Sequence, residues 1–112
     1  MNFNPAHKII LDDLLLGNPH VRPGKMFGYP AYYVGKKLFA CVYEHGISVK
    51  LPGDRAAKLV KTDPNTIPFE PMKGRTMREW VQINLERSED YCKYQSIFDE
   101  SIHYLLAQQG SA

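Results

Sequence analysis

The sequence predicts an α+β domain in which an antiparallel β-sheet carries its helices on one face, in the order α-β-β-β-β-α-β-β-α. Two short glycine turns, at residues 35–36 and 45–46, separate runs of alternating apolar residues and so predict consecutive β-hairpins. Helical apolar spacing occurs at the start, in the middle and at the end of the chain. With 112 residues, 44% of them hydrophobic, the chain can bury one core, and we expect a single domain over residues 1–112.

The first predicted element is a helix that begins at Asn4-Pro5, because asparagine caps helix N-termini and proline suits the first helical position. Apolar side chains at residues 10–15 form its buried stripe, and Gly17-Asn18-Pro19 ends it. Residues 18–24 are predicted to be a loop, and the sheet is predicted to begin at Lys25.

Two-residue turns set the register of both predicted hairpins. The turns are Gly35-Lys36 and His45-Gly46, and the second requires a positive φ at Gly46. The expected partners are Val34–Lys37 and Tyr32–Phe39 in the first hairpin, and Glu44–Ile47 and Val42–Val49 in the second.

Alternation along the strands divides the side chains between two sheet faces. The face expected under the helices carries Ala31, Tyr33, Leu38, Ala40, Val42, Ile47, Val49 and Leu51. The opposite face carries Tyr32, Phe39, Cys41, Tyr43, Ser48 and Lys50, and a last strand over residues 77–83 adds Trp80. We expect a core that includes Leu14, Val42, Val49, Leu51, Val81 and Phe98.

Between the hairpins and the last strand, Asp54 is predicted to cap a short helix over residues 55–61. Residues 67–72 are predicted to form an edge strand, because Pro68 and Pro71 cannot take part in a central hydrogen-bond ladder. The final helix begins at Ser88, and its buried stripe is predicted to be Tyr91, Tyr94, Phe98, Ile102 and Leu105.

Composition excludes several classes of protein. A net charge of +2 without a basic stripe does not indicate a nucleic-acid-binding domain. The N-terminal residues do not resemble a signal or transit peptide, and no apolar run approaches the roughly 20 residues that span a membrane. We therefore expect a cytoplasmic protein with no membrane contact and two free thiols, Cys41 and Cys92.

The residue types that most often carry chemistry are dispersed. His7 and His103 are predicted on helix surfaces, His20 in a loop and His45 in a turn, so we expect no metal site. Cys41 lies within a strand, where packing is a more common role than that of a nucleophile. We expect no catalytic residue and no cofactor.

Several motifs together carry a resemblance to a known family. They are Met26-Phe-Gly-Tyr-Pro-Ala-Tyr-Tyr-Val-Gly-Lys-Lys-Leu-Phe-Ala40, Val49-Lys-Leu-Pro52, Asp54-Arg55, Pro68-Phe-Glu-Pro-Met72 and Gly74-Arg-Thr-Met-Arg-Glu-Trp80. In this order they resemble the TfoX N-terminal-domain-like family over about residues 25–106.

That resemblance implies a compact α+β domain with the same element order, similar in architecture to secretion chaperones and MmcQ/YjbR-like proteins. It implies no established catalytic residues. The family's namesake is a bacterial regulator of competence genes with an additional C-terminal domain, for which this sequence offers no counterpart. We therefore expect a regulatory-type domain rather than a role in competence.

Three cations are candidates for an anion-binding site: Lys50, Arg75 and Arg78. Guanidinium groups bind carboxylate and phosphate oxygens in a forked geometry. The more common alternative is an internal ion-pair network with Glu44, Glu70 or Glu79, and the low net charge disfavours a nucleic-acid platform.

Four aromatic residues are candidates for an interface: Tyr32, Phe39, Tyr43 and Trp80. Monomeric proteins seldom expose such a contiguous apolar patch, so we expect either a partner or loops at 17–24 and 62–71 to cover it. A self-complementary patch favours a two-fold homodimer with Trp80 at its centre. The function expected is a non-enzymatic binding or regulatory module that acts through protein contacts. The alternative is a domain that binds a small anionic ligand or nucleic acid through the side formed by Lys50, Arg75 and Arg78.

Overall fold

A computed structural model describes residues 2–110 and confirms the α+β fold and its element order. The helices are α1 (Pro5–Leu15), α2 (Gly53–Thr62) and α3 (Gln95–Gly110), with a 3₁₀ helix at Ser88–Tyr94 leading into α3. The strands are β1 (Val21–Met26), β2 (Tyr29–Val34), β3 (Lys37–Tyr43), β4 (Gly46–Lys50), β5 (Thr66–Pro68) and β6 (Trp80–Ile83). They form one antiparallel sheet in the order β1-β2-β3-β4-β6-β5.

Helix α1 begins as its sequence predicts. The side chain of Asn4 accepts a hydrogen bond from the backbone amide of Ala6 at 2.9 Å, and Pro5 occupies the first turn. The buried stripe consists of His7, Leu11 and Leu15 at spacings of four residues. The prediction that His7 lies on the helix surface is wrong, because this side chain is 1% exposed.

The first hairpin contains an irregularity that changes which side chains face the helices. Its Gly35-Lys36 turn pairs Val34 with Lys37, as predicted. A register shift between Tyr32 and Tyr33 then places Tyr32 opposite Ala40, and Phe39 is the additional residue.

The second hairpin turns one residue earlier than predicted. Its loop is Glu44-His45, so Tyr43 pairs with Gly46, and Val42 pairs with Ile47 instead of Val49. The positive φ, 49°, occurs at Glu44, and the prediction of a positive φ at Gly46 is wrong. A Cβ at Gly46 would lie 2.5 Å from the carbonyl oxygen of Ile83, so glycine is needed here for close strand contact.

The core lies between the sheet and the helices. Burial is confirmed for Val42, Val49, Leu51, Val81 and Phe98, whereas Leu14 is only partly buried against the core. Tyr32 and Phe39 also belong to this core, and the hydroxyl of Tyr32 donates to Asp12 of α1 at 2.5 Å. Their predicted position on the opposite face is therefore wrong.

The remaining differences concern element boundaries. Residues 21–24 belong to β1 instead of a loop, and Pro52, not Asp54, occupies the N-cap of α2. The sixth strand begins at Trp80, because residues 69–79 follow an irregular path held by a hydrogen bond from the Met77 amide to the Phe69 carbonyl.

Candidate binding surface

A chain of aromatic rings lies on the sheet face opposite the helices. Tyr29 and Tyr43 have ring centroids 4.8 Å apart, Tyr43 and Phe69 meet edge to face at 5.1 Å, and Phe69 lies 5.9 Å from Trp80. These separations lie within the favourable range for aromatic pairs. The four rings come from β2, β3, the irregular segment and β6, so the sheet fixes three of them and the segment supplies the fourth.

The rings form part of an apolar cavity of about 500 Å³, which we call the cup. Its rim contains three exposed apolar side chains: Phe27 at 86%, Met72 at 63% and Met77 at 43% exposed. None of the residues that line the cup is charged. The cup therefore offers an apolar recess with an adaptable, sulfur-containing rim.

The structure brings together two of the four predicted interface residues. Tyr43 and Trp80 line the cup, whereas Tyr32 and Phe39 lie in the core on the other side of the sheet. Trp80 is only 8% exposed, so this chain covers much of the predicted patch itself. Phe69, from the predicted covering loop at 62–71, does this in part, while residues 21–24 of the other predicted loop form an edge strand.

The sequence analysis placed Leu38 on the helix face, whereas it lines the cup. The other cup residues that it missed are Met26, Phe27, Tyr29, Phe69, Pro71, Met72 and Met77. One signal was present: two prolines flank Phe69-Glu70, and they restrict this stretch to an edge strand or an irregular path. A large apolar residue in such a segment must pack against something, and the nearest apolar surface is the sheet.

The three predicted anion-binding residues line one groove of about 590 Å³. The groove shares four residues with the cup: Pro71, Met72, Met77 and Trp80. Lys50 lies 3.7 Å from the Glu79 carboxylate, which also accepts a hydrogen bond from the Tyr104 hydroxyl at 2.9 Å. One predicted ion pair, with Glu79, is thus present.

The two arginines of this groove remain without an ion pair among residues 2–110. The guanidinium of Arg78 lies against the first turn of α2, where a Cβ on Gly53 would be 2.7 Å from its central carbon. Arg75 is exposed, and its backbone amide bonds to the Met72 carbonyl at 2.8 Å. The groove therefore carries uncompensated positive charge.

The buried histidine and cysteine are both engaged in the fold. His7 Nδ1 lies 2.6 Å from the Ser88 hydroxyl, and its ring packs edge to face on Tyr91 at 4.9 Å. Burial lowers the pKa of His7, and a hydrogen bond to the His45 backbone opposes that effect. The imidazole is therefore mostly neutral at pH 7, and it is 1% exposed.

Cys41 is buried with its sulfur 2.7 Å from the Ser48 hydroxyl. Burial raises the pKa of its thiol to about 11, so the thiolate is scarce at neutral pH. Cys92 is the exposed cysteine. Across the described residues no cluster of three or more histidine, cysteine or carboxylate side chains could hold a metal ion.

The comparison with protein families agrees with the sequence resemblance. Neither curated proteins nor solved structures gave a match. No helix within residues 2–110 has the length and apolar character needed to cross a membrane. The family model of the TfoX N-terminal domain matches residues 13–104, and the chain therefore belongs to the TfoX N-terminal domain family.

Proposed function

We propose that this domain is a non-enzymatic binding module that acts through protein contacts at the cup. Family membership supports a small domain of regulatory type. The observation that carries the proposal is the uncharged cup with Phe27, Met72 and Met77 exposed on its rim. Exposed apolar surface of this kind marks sites where proteins bind one another.

The energetic argument rests on apolar burial. Burying one phenylalanine- or leucine-sized side chain in the cup contributes about 1.5–3 kcal/mol, and covering the rim adds to that. Methionine side chains adapt their shape to different partners, which suits a binding rim. Tyr43 and Trp80 then act as the rigid floor on which the partner side chain rests, since packed rings lose little entropy on binding.

The proposal that the domain is not an enzyme is supported by the burial of Cys41 and His7. A nucleophile needs an accessible thiolate or an activated hydroxyl. Cys41 is buried with a raised pKa, and His7 is enclosed by Ser88 and Tyr91. Both side chains take part in hydrogen bonds within the fold.

A second candidate function is the binding of a small anion or a nucleic-acid strand in the cationic groove. The favouring observation is that Arg75 and Arg78 line one groove with Lys50 and have no ion pair among the described residues. Titration calorimetry with inorganic phosphate and with a short oligonucleotide tests this alternative. Saturable heat that disappears in an Arg75→Gln/Arg78→Gln double variant supports it, and no heat at millimolar ligand excludes it.

The protein-contact proposal is tested by affinity capture with matched baits. The wild-type chain, a Met72→Glu variant and an Ile9→Glu variant are compared, since Met72 lies on the cup and Ile9 is 71% exposed on α1. We expect proteins captured by the wild type and by Ile9→Glu to be lost with Met72→Glu. Identical capture by all three baits would exclude the cup as the contact surface.

A further inference from the structure

We propose that the occupant of the cup is a second copy of this chain, and that Phe27 of each copy enters the cup of the other. This inference rests on the proposed function, because it names the protein partner that the cup binds. It also names Phe27, which was not among the interface residues predicted from the sequence, as the side chain that enters the cup.

The conformation of Phe27 is the first observation. Met26 pairs with Tyr29, so Phe27-Gly28 forms a two-residue turn between β1 and β2. Both turn residues have a positive φ, 50° at Phe27 and 85° at Gly28. Such turns favour asparagine, aspartate or glycine in the first position, and a bulky side chain there is strained.

The exposure of Phe27 shows that its ring gains little packing within one chain to offset this strain. The ring is 86% exposed, the largest exposure of any large apolar side chain among the described residues. Strained residues that persist without an internal reason are concentrated at functional sites. A partner that buries the ring supplies the missing stabilisation.

Phe27 does not fill the cup of its own chain. The turn has only two residues, and the β1–β2 ladder continues up to Met26 and Tyr29 on either side of it. The ring lies on the rim of this cavity and stays 86% exposed, so it leaves the recess itself unfilled. The cup is therefore available to a ring that arrives from outside.

The cup suits an aromatic occupant. Its floor rings already pack at centroid distances of 4.8 to 5.9 Å in tilted and edge-to-face arrangements, to which another ring can be added. The volume of about 500 Å³ and the uncharged lining favour an apolar group over a charged segment.

A second copy is favoured because the protruding ring and the recess lie side by side on one face. Such a surface is self-complementary, so a two-fold rotation satisfies both contacts at once and closes the assembly at two copies. The cationic groove shares the wall at residues 71–80 but none of the residues of the Phe27 turn. Arg75 and Arg78 line the groove and do not line the cup.

Sedimentation equilibrium of the 112-residue chain between about 1 and 200 μM tests the proposal. The wild type should approach twice the monomer mass. Phe27→Asn should weaken dimerisation at least tenfold while keeping the fold, because asparagine suits a positive φ in this turn. Ile9→Ala, which shortens an exposed apolar side chain on α1, should dimerise like the wild type.

The outcomes separate this inference from the broader proposal. A wild-type monomer at 200 μM overturns the second-copy inference, and the protein-contact proposal stands if capture still depends on Met72. If the dimer survives Phe27→Asn but not Met72→Glu, the cup is the interface, and only the exchange of Phe27 between copies is overturned. A dimer that survives both substitutions excludes the cup as the dimer interface.

Discussion

Replacing Gly46 with alanine tests the close contact between β4 and β6. The new Cβ would lie 2.5 Å from the Ile83 carbonyl oxygen and would also collide with the Asn84 side chain. Carbon–oxygen contacts across a sheet normally measure about 3.3–3.6 Å, so the strands must separate by close to 1 Å at this point.

The expected loss of stability follows from two effects. Overpacking at a site that cannot relax costs about 1–3 kcal/mol. Weakening a neighbouring ladder hydrogen bond costs roughly another 0.5–1.5 kcal/mol. We therefore expect Gly46→Ala to lower the free energy of unfolding by about 1.5–4.5 kcal/mol.

Gly17→Ala is the matched control. No atom lies within 4 Å of a Cβ built at Gly17, and its φ is not positive. Alanine there should leave stability unchanged or raise it by up to about 1 kcal/mol, because it restricts the unfolded chain.

Urea unfolding followed by the fluorescence of Trp80, the single tryptophan, measures both variants. With an m-value of about 1–3 kcal/mol/M, a loss of 2 kcal/mol lowers the midpoint by roughly 0.7–2 M. A Gly46→Ala midpoint equal to that of the wild type would refute the contact, and so would an equal loss in Gly17→Ala.

Three further predictions concern the interior. Burial lowers the pKa of His7 from 6.5, so the unfolded chain binds a proton more readily than the folded chain does, and stability should fall as the pH drops below about 6.5. Urea midpoints measured between pH 7.5 and 5.5 should therefore change less with pH in His7→Gln than in the wild type. In the folded protein, iodoacetamide should modify Cys92 and spare Cys41, as read by peptide mass spectrometry, and equal modification would contradict the buried thiol. Leu51→Ala should lose about 2–5 kcal/mol in the same urea assay, and a loss below 0.5 kcal/mol would contradict its full burial.

Local signals predicted the parts of the fold that local interactions determine. The Asn4-Pro5 cap and the Gly35-Lys36 turn require only neighbouring residues, and both occur as predicted. The irregular segment at 69–79 depends instead on long-range packing of Phe69 against Tyr43 and Trp80. No period in the sequence encodes that packing, so most of the cup could not be predicted.

Strand alternation accounts for only part of the predicted cationic groove. Lys50 and Trp80 are direct partners in the β4–β6 ladder, so alternation placed both on the correct face. Arg75 and Arg78 lie in the irregular segment, where alternation has no meaning, and their proximity to Lys50 follows from the path of that segment.

The two register errors had unequal consequences because side chains alternate with a period of two. The second hairpin was displaced by two residues, from Val42–Val49 to Val42–Ile47, and every side chain kept its predicted face. The first hairpin contains a single extra residue, and that odd displacement moved Tyr32 and Phe39 into the core. Tyr32 and Phe39 are aromatic and suit either the core or an apolar surface patch, so hydrophobicity alone could not reveal the bulge. The sheet face opposite the helices therefore carries two fewer rings than predicted. Its apolar character depends instead on residues 69–77 and the Phe27 turn.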